Sequence, residues 1–385
     1  MPGLYAAFDV FPSSKGAATH IAQFANTLFE YTNGGILCAL GGKYLPKEQR
    51  ENNITIKRLK LKNVNYLQRA EAFSKFVSNQ IELEEEQTSL NICHFRDIWS
   101  GMAILKPDRN YKTVFEVNGL PSVELPYRYA NLTQNFIQKL RNRELFCLKE
   151  ADIIVTPSQT TAQFLQSIGT PLSKIEVISN GAFIPDKFDK PVGLPEKYLI
   201  YFGALQTWQG VDVLLKAFAG LKDFDDLHLL ICHAGSRKMA KPYKKLAKKL
   251  EIDQKVIWQE QLDQPTLWAS IQHALVSVAP LKEGNRNIIQ GCNPLKILES
   301  MACGTPVIAS ELPVCQELFQ DNIQGKLVPP DRPAMLSRAI RFLIDYPDLA
   351  IELGKNGEKL IVQSFTWENK KEVLKALYSR LNSLI

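Results

Sequence analysis

The feature that most constrains the fold of this chain is a repeated alternation of short apolar runs with longer segments of helical period. Runs of about four to eight apolar residues between amphipathic segments are typical of βαβ units and predict a parallel sheet. The alternation occupies residues 4–178 and begins again at 198. Between the two stretches lies Pro185–Lys197, with three prolines and mixed charge, which we interpret as an interdomain linker. The sequence therefore predicts two doubly wound, Rossmann-like α/β domains, at 1–188 and 189–365.

Length and composition agree with this division and exclude several other classes of protein. A chain of 385 residues exceeds the size at which a single core usually stops growing. Its 45% hydrophobic and 22% charged residues are typical of a globular protein, and its longest uncharged stretches are shorter than a membrane span. The first residues lack the basic and apolar regions of a secretory signal, so we expect a cytoplasmic protein. The seven cysteines never form a CxxC pair, so we expect neither a zinc site nor a disulfide framework.

The segment that says most about chemistry is Gly291–Ser310, GCNPLKILESMACGTPVIAS. A loop that contains Pro294 opens a predicted helix, and Lys296 and Glu299 lie three positions apart on it. A helix N-terminus with a cation beside it favours a phosphate, and a carboxylate is able to accept hydrogen bonds from a ribose. A sugar nucleotide carries both groups. The spacing alone is equally typical of an ordinary amphipathic helix with a surface Lys–Glu pair.

This segment resembles the donor-binding signature of family 4 glycosyltransferases, P-x-K-x-x-E-x-M-A-x-G-x-P-V-I-A. Further landmarks follow that family's order along nearly the whole chain: FPSSKGAATH, EADIIVTPSQTTAQFL, KIEVISNGAFIPDKF, YLIYFGALQTWQGVDVLLKAF and FTWENKKEVLKALY. The resemblance implies the GT-B fold, in which two Rossmann-like domains face each other across a cleft. It also implies a C-terminal helix, here 366–385, that packs back on the N-terminal domain.

The activity implied by the resemblance is a retaining hexosyl transfer from a UDP- or GDP-sugar to a carbohydrate or lipid-linked acceptor. The N-terminal domain would bind the acceptor and the C-terminal domain the nucleotide sugar, with no metal or other cofactor. Within the signature, Glu299 takes the place of the second glutamate of an E-x7-E pair, which accepts from the ribose hydroxyls. Gly291 stands where the first glutamate is usual, so backbone amides of the loop or the side chain of Asn293 are expected to contact the donor sugar instead.

A second departure from the family concerns the charge that holds the diphosphate. Ala204 and Gln209 occupy the positions of an arginine and a lysine that clamp the diphosphate in relatives. Unpaired phosphate charge in a closed site is costly, so we expect Arg286 and Lys296 to supply the clamp. The predicted donor-binding residues are Gly16, Gly203, His233, Gly235, Arg286, Gly291, Cys292, Asn293, Pro294, Leu295, Lys296 and Glu299.

The candidates for catalysis are three polar residues at strand ends of the first domain, Asp97, Glu116 and Asn118. Many relatives have His or Asp where Asn118 stands, and an asparagine does not act as a base. Carboxylate assistance must then come from Asp97 or Glu116, unless the departing phosphate accepts the proton of the acceptor hydroxyl. That last route fits a retaining transfer on one face of the sugar.

Two other functions of the same architecture stay open at this stage: a sugar-nucleotide epimerase and an inactive sugar-nucleotide-binding module. The losses at Ala204 and Gln209 favour the inactive module, whereas Lys296 and Glu299 oppose it. The acceptor is equally open. The net charge of +6 indicates mild attraction to anionic surfaces, which leaves room for a membrane glycolipid acceptor and a peripheral contact with an anionic membrane. We expect no nucleic-acid partner.

Overall fold

A computed structural model describes residues 1–13, 16–62, 64–129, 131–234 and 237–383. The chain divides into two compact units, one made of 1–179 with the residues from Lys370 onward, and one made of 180–369. The division falls after 179, whereas the sequence boundary was placed after 188. The reason is that the linker segment is held by the second unit. The Phe188 N–H donates to Gln272 Oε1 at 3.0 Å, and the Gln272 amide donates to Asp186 O at 2.8 Å.

Strands and helices alternate along the first unit, as the apolar periodicity predicts. In chain order they are β1 (Gly3–Val10), α1 (Gly16–Tyr31), β2 (Gly35–Leu40), β3 (Glu48–Glu51), β4 (Ile54–Leu59), α2 (Tyr66–Glu85), β5 (Ile92–Phe95), α3 (Ile98–Ile104), β6 (Lys112–Glu116), α4 (Pro121–Arg128), α5 (Gln134–Glu150), β7 (Ile153–Thr156), α6 (Gln159–Ser167) and β8 (Ile175–Val177).

These strands form one sheet in the order β3-β4-β2-β1-β5-β6-β7-β8. All neighbouring pairs are parallel except β3 with β4, which form an antiparallel hairpin at the edge. The sequence analysis missed that hairpin because β3 reads EQRE and has no apolar residue to bury. In the centre of the sheet, β1, β5 and β6 are neighbours, so their carboxyl ends meet at one edge.

The second unit is a parallel sheet of six strands in the order β11-β10-β9-β12-β13-β14. Its elements are β9 (Lys197–Gly203), α7 (Val211–Phe218), β10 (Leu227–His233), α8 (Arg237–Lys249), β11 (Val256–Glu260), α9 (Gln264–Gln272), β12 (Val276–Ala279), α10 (Leu295–Ala302), β13 (Val307–Ser310), α11 (Pro313–Gln316), β14 (Lys326–Val328), α12 (Pro333–Asp345) and α13 (Pro347–Ser364).

The last helix, α14 (Trp367–Ser383), joins the first unit from Lys370 onward. Leu374, Leu377 and Leu381 are buried along one face of it, and Lys375 Nζ lies 3.1 Å from Glu30 Oε2 on α1. The helix thereby closes the fold of the first unit with residues from the far end of the chain. None of the helices in the described ranges is long and apolar enough to cross a lipid bilayer.

Candidate active site

Glu116, at the end of β6, is a buried carboxylate. Several polar side chains at the carboxyl edge of the first sheet contact it. Its side chain is 1% exposed, and the Tyr5 hydroxyl donates to Oε2 at 2.6 Å. His94 Nε2 lies 3.3 Å from the same oxygen, while His20 Nε2 and Arg96 Nε lie 2.8 and 3.4 Å from Oε1. Burial alone would raise the pKa of the Glu116 carboxyl, but the charges and hydrogen bonds of these neighbours hold it well below its usual range. Glu116 is therefore a permanent carboxylate.

The C-terminal helix contributes to this cluster through Tyr378, whose hydroxyl lies 2.7 Å from His94 Nδ1. Burial raises the pKa of Tyr378 well above its ordinary value and lowers the pKa of His94. A protonated phenol beside a neutral imidazole donates to Nδ1, which places the imidazole proton on Nε2, where it faces Glu116. The hydrogen bond between Tyr378 and His94 thus joins α14 to β5, and His94 in turn lies beside Glu116 at the end of β6.

Asn118 is oriented by the same carboxylate. Its amide Nδ2 donates to Glu116 Oε1, and only the NH₂ group is able to face an ionised oxygen in this way. The amide oxygen of the half-buried Asn118 is consequently turned away from Glu116. That arrangement leaves an oriented acceptor, suited to a hydroxyl group, at the edge of the sheet.

Asp97 lies just beyond the carboxyl end of β5, as expected from the sequence, and directly precedes α3. It caps α3: Oδ1 accepts from the amides of Trp99 and Ser100 at 3.0 and 2.8 Å. Oδ2 accepts from the Phe8 amide and the Ser100 hydroxyl, both at 2.8 Å. Burial raises the pKa of Asp97 to about 6, although these hydrogen bonds oppose the shift. With both oxygens doubly engaged, Asp97 caps α3, and its catalytic role stays a prediction.

The first turn of α1 lies against the Glu116 cluster. Gly16 is the exposed first residue of the helix, and Arg96 Nη1 donates to the carbonyl of Ala17 at 3.2 Å. His20 lies one turn further on and stacks on Phe24, with ring centroids 4.0 Å apart. The carboxylate thus holds the start of α1 in register with the ends of β5 and β6.

At the carboxyl edge of the second sheet, the loop between β12 and α10 is fastened to the loop after β9. The Asn287 amide donates to the carbonyls of Trp208 and Lys282 at 3.0 and 2.8 Å, and the Lys282 N–H donates to Trp208 O at 3.0 Å. Gly210, at φ +72°, lets the two loops touch, because a Cβ there would lie 1.7 Å from the carbonyl oxygen of Pro280. These contacts hold the loop that precedes α10 against the loop after β9.

Lys296, in the first turn of α10, is a cationic side chain at the carboxyl edge of the second sheet. Its side chain is buried, with Nζ 2.5 Å from Gln209 Oε1 and 4.1 Å from the centroid of the Tyr201 ring. Burial lowers the pKa of Lys296 to about 7, and the nearby Glu299 charge offsets only part of that shift. Gly203 ends β9 at φ +127°, and a Cβ on it would lie 3.4 Å from Nζ, so the strand end and the ammonium are neighbours.

The side chains of Glu299 and Asn293 have acceptor oxygens that no described residue uses. Burial raises the pKa of Glu299 to about 7 against the lowering effect of Lys296, and its carboxylate accepts no hydrogen bond from any described residue. Asn293 is 8% exposed, and within the described ranges its side-chain Oδ1 has no hydrogen-bond partner. Its carbonyl is held by Asn180, whose amide donates to it at 2.8 Å. Buried acceptors of this kind favour a ligand that donates hydrogen bonds.

Arg286 fixes the loop from within. It opens a π-helical turn, Arg286–Gln290, and its Nη1 donates to the carbonyl of Gly291 at 3.0 Å. The guanidinium carbon lies 5.9 Å from the centroid of Trp208. Gly291 is at φ +80°, so the residue that replaces the family's first glutamate also makes the turn that leads into α10. The structure therefore gives Arg286 a loop-holding contact in addition to the phosphate role expected of it.

The other predicted donor residues fall at the same edge or outside the described ranges. His233 ends β10, is buried and lies 6.2 Å from the Trp258 ring. Cys292 Sγ lies 4.0 Å from Asn287 Oδ1, and Pro294 and Leu295 form the N-cap and first residue of α10. Gly235 lies outside the described residues. Within those residues, no three His, Cys, Asp or Glu side chains are grouped as a metal ion would require.

Sequence reasoning missed Tyr5, His20 and His94, which contact Glu116, and Tyr378, which contacts His94. Tyr5 and Glu116 are 111 positions apart, and His94 and Tyr378 are 284 apart, so no local spacing joins them. Two signals were available: His20 on the buried face of α1, and His94 within the apolar run of β5.

Two family models together match most of the chain. Residues 14–182 match the model described as Glycosyltransferase Family 4, and residues 183–360 match the model described as Glycosyl transferases group 1. An uncharacterized glycosyltransferase of Methanocaldococcus jannaschii is 24% identical over 99% of this chain and 97% of its own length. The D-inositol 3-phosphate glycosyltransferase of Corynebacterium efficiens is 25% identical over 60% of this chain and 56% of its own.

Solved structures give the same architecture. Sucrose-phosphate synthase from Thermosynechococcus elongatus superimposes with a TM-score of 0.82 at 19% identity, covering 100% of both chains. HepE of Anabaena, in a complex with UDP-glucose, gives 0.75 at 16% identity over 99% of this chain and 100% of its own. These neighbours confirm the predicted fold class, two Rossmann-like domains of the GT-B type. The protein is thus an enzyme of the glycosyltransferase class. Within that class, the chain belongs to family 4, as its sequence signature predicted.

Proposed function

We propose that this enzyme transfers a hexose, with retention of configuration, from a UDP- or GDP-sugar to a carbohydrate or lipid-linked acceptor. The observation that carries the proposal is the buried ammonium of Lys296 at the start of α10, with no carboxylate within 4.0 Å among the described residues. A buried cation without a paired acid is costly, and a diphosphate supplies the missing charge.

The surroundings of Lys296 support the same ligand. The free amides at the start of α10 favour negative charge at that end, and Gln209, which replaces the family's lysine, contacts the Lys296 ammonium. Glu299 offers its carboxylate to the ribose hydroxyls. Asn293 offers an unpaired oxygen to the sugar in place of the glutamate lost at Gly291. HepE, a structural neighbour, binds UDP-glucose, which makes that compound the first donor to test.

The first sheet supports a transfer without a protein base. Asp97 caps α3, and Glu116 is buried among the side chains that contact it. In the proposed step, the bond between the anomeric carbon and the donor phosphate oxygen breaks while the acceptor oxygen bonds to that carbon from the same face. The acceptor proton passes to the departing phosphate oxygen. Asn118, held by Glu116, accepts a hydrogen bond from a second hydroxyl of the acceptor and so orients the reacting one.

A thermal-shift and calorimetric screen of UDP- and GDP-sugars tests the proposal. One of them is expected to stabilise the protein by mass action. Lys296→Gln is expected to weaken its binding about 10- to 100-fold, because hydrogen bonds to a charged group contribute about 1.5–3 kcal/mol. Lys245→Gln, an exposed lysine on α8, is the matched control and should bind as the parent does.

Two results would contradict the proposal. If no sugar nucleotide binds, the donor site is not the one described. If binding occurs but the bound sugar is never released or transferred in the presence of carbohydrate and glycolipid acceptors, the protein is a binding module. An inverted product would refute retention alone.

A further inference from the structure

The second unit contains a cavity of about 850 Å³ that the transfer reaction does not use. It lies where four neighbouring strands begin: Lys197 and Leu227 start β9 and β10, while Leu275 and Pro306 immediately precede β12 and β13. The predicted donor residues lie beyond the carboxyl ends of these same strands. The cavity is therefore at the opposite edge of the sheet and cannot be part of the donor site.

The lining of the cavity is mostly apolar. Its walls come from the starts of the four strands, from the junction of α12 with α13 and from the segment before β9. The apolar residues of the lining include Phe188, Phe224, Leu227, Leu343, Ile344 and Ile351. Volume and lining are those of a small-molecule pocket, which usually measures about 300–1,000 Å³ and combines apolar walls with a few polar groups.

More positive than negative side chains line the cavity. Lys197 is neutralised by Asp226, with Nζ 2.7 Å from Oδ2. The exposed lysines Lys187 and Lys355 have no carboxylate within 4.0 Å among the described residues. Glu358 is the one further acid of the lining, half-buried beside Gly304. Two unpaired cations against one acid leave a net positive charge, which complements an anion.

We propose that this cavity binds an amphipathic anion, with an alkyl or acyl chain among the apolar walls and a phosphate or carboxylate head at Lys187 and Lys355. An apolar chain gains by leaving water, and its head stays at the exposed lysines, where desolvation is small. Glu358 disfavours a second negative charge on the ligand and is able to accept a hydrogen bond from a hydroxyl.

Isothermal titration of the full chain with single-chain probes below their micelle concentration tests the site. Dodecyl phosphate and dodecanoate distinguish the two head groups, dodecanol carries the chain alone, and inorganic phosphate carries the head alone. At least one of the two anions should bind saturably with one molecule per chain, at least fivefold tighter than dodecanol. Inorganic phosphate should not bind measurably at the same concentrations. The absence of saturable binding by both anions, or equal binding of dodecanol, overturns the proposal.

Matched variants locate the binding. Ile351 and Val362 are each 53% exposed on α13, but only Ile351 lines the cavity. Ile351→Trp should fill the mouth and weaken anion binding at least tenfold, whereas Val362→Trp should leave it unchanged. The double variant Lys187→Gln/Lys355→Gln should weaken the anions at least fivefold and spare dodecanol. The control double variant, Lys245→Gln/Lys359→Gln, should change neither.

Equal binding in Ile351→Trp and Val362→Trp would place the ligand elsewhere and refute the site. All four variants alter exposed residues, and unchanged thermal unfolding shows that they are folded. The sugar-nucleotide screen is run separately on the same proteins. A failure of the cavity proposal is thereby distinguished from a failure of the proposed donor site.

Discussion

Both sheets place a buried ionisable side chain at the carboxyl end of their central strands, Glu116 in the first unit and Lys296 in the second. The two environments differ. Glu116 has hydrogen-bonding or charged neighbours on both oxygens, and its pKa lies well below the usual range. Lys296 has a neutral amide and an aromatic face, and its pKa is about 7. A charge satisfied by the protein stabilises the fold, whereas a charge left with neutral partners marks the place for a charged ligand.

The largest effect expected from this comparison is on stability. Glu116→Ala should lower the free energy of unfolding by about 3–5 kcal/mol, because Arg96 and the two histidines lose their shared buried carboxylate. Urea denaturation followed by circular dichroism measures the change. Glu71→Ala is the control, since Glu71 and Lys75 form an exposed pair. If both variants lowered the free energy of unfolding by the same small amount, Glu116 would not be a charge that stabilises the fold.

The second effect is a pH dependence of donor binding. A bound diphosphate raises the pKa of Lys296 from its value of about 7, so binding takes up a proton above that pH. Affinity should be greatest below pH 7 and fall by up to about tenfold per pH unit above it. Glu299 also has a pKa of about 7, so the measurement is made in Glu299→Gln by calorimetry with the tightest-binding sugar nucleotide; because the Glu299 charge raises the pKa of Lys296, affinity in this variant should begin to fall at a lower pH than in the parent.

The control for this pH profile is the double variant Lys296→Gln/Glu299→Gln, whose affinity should not change between pH 6 and pH 9 beyond the titration of the ligand itself. A slope that persists in the double variant would assign the proton to another group. A rise in affinity above pH 7 in Glu299→Gln would have the wrong sign for a lysine clamp.

The smallest effect separates Asp97 from Asn118, the two other catalytic candidates of the first unit. Asp97→Ala should lower the free energy of unfolding by about 1–2 kcal/mol through loss of the cap of α3. Asp97→Asn keeps an acceptor for the Trp99 and Ser100 amides and should retain transfer activity. Asn118→Ala should reduce turnover with little change in stability. If Asp97→Asn abolished transfer in a stably folded protein, the carboxylate would be catalytic after all.

The donor loop was predictable from the sequence because its chemistry is local. Pro294, Lys296 and Glu299 lie within six residues, and helix geometry alone relates them. The strands β1, β5 and β6 were equally predictable from apolar runs. The contact of Lys296 with Gln209, 87 positions apart, was not, since it depends on how two loops pack.

The Glu116 cluster was beyond sequence reasoning for the same reason. The prediction named Glu116, Asp97 and Asn118 as one group, but the sequence does not say which carboxylate caps a helix and which accepts from the side chains. Only the neighbouring positions of β1, β5 and β6 bring Tyr5 and His94 to one carboxylate, and only the return of α14 brings Tyr378 to His94. The order of the strands determines which distant residues contact each other.

The use of α14 by the first unit has a consequence for biosynthesis. The segment 180–369, which forms the second unit, is translated before Tyr378 exists. At about 5–20 residues per second, these 190 residues take roughly 10–40 s, during which His94 has no Tyr378 beside it. The nascent first unit therefore stays unfinished until α14 has been translated, and a fragment cut after 179 would lack the buried leucines of that helix.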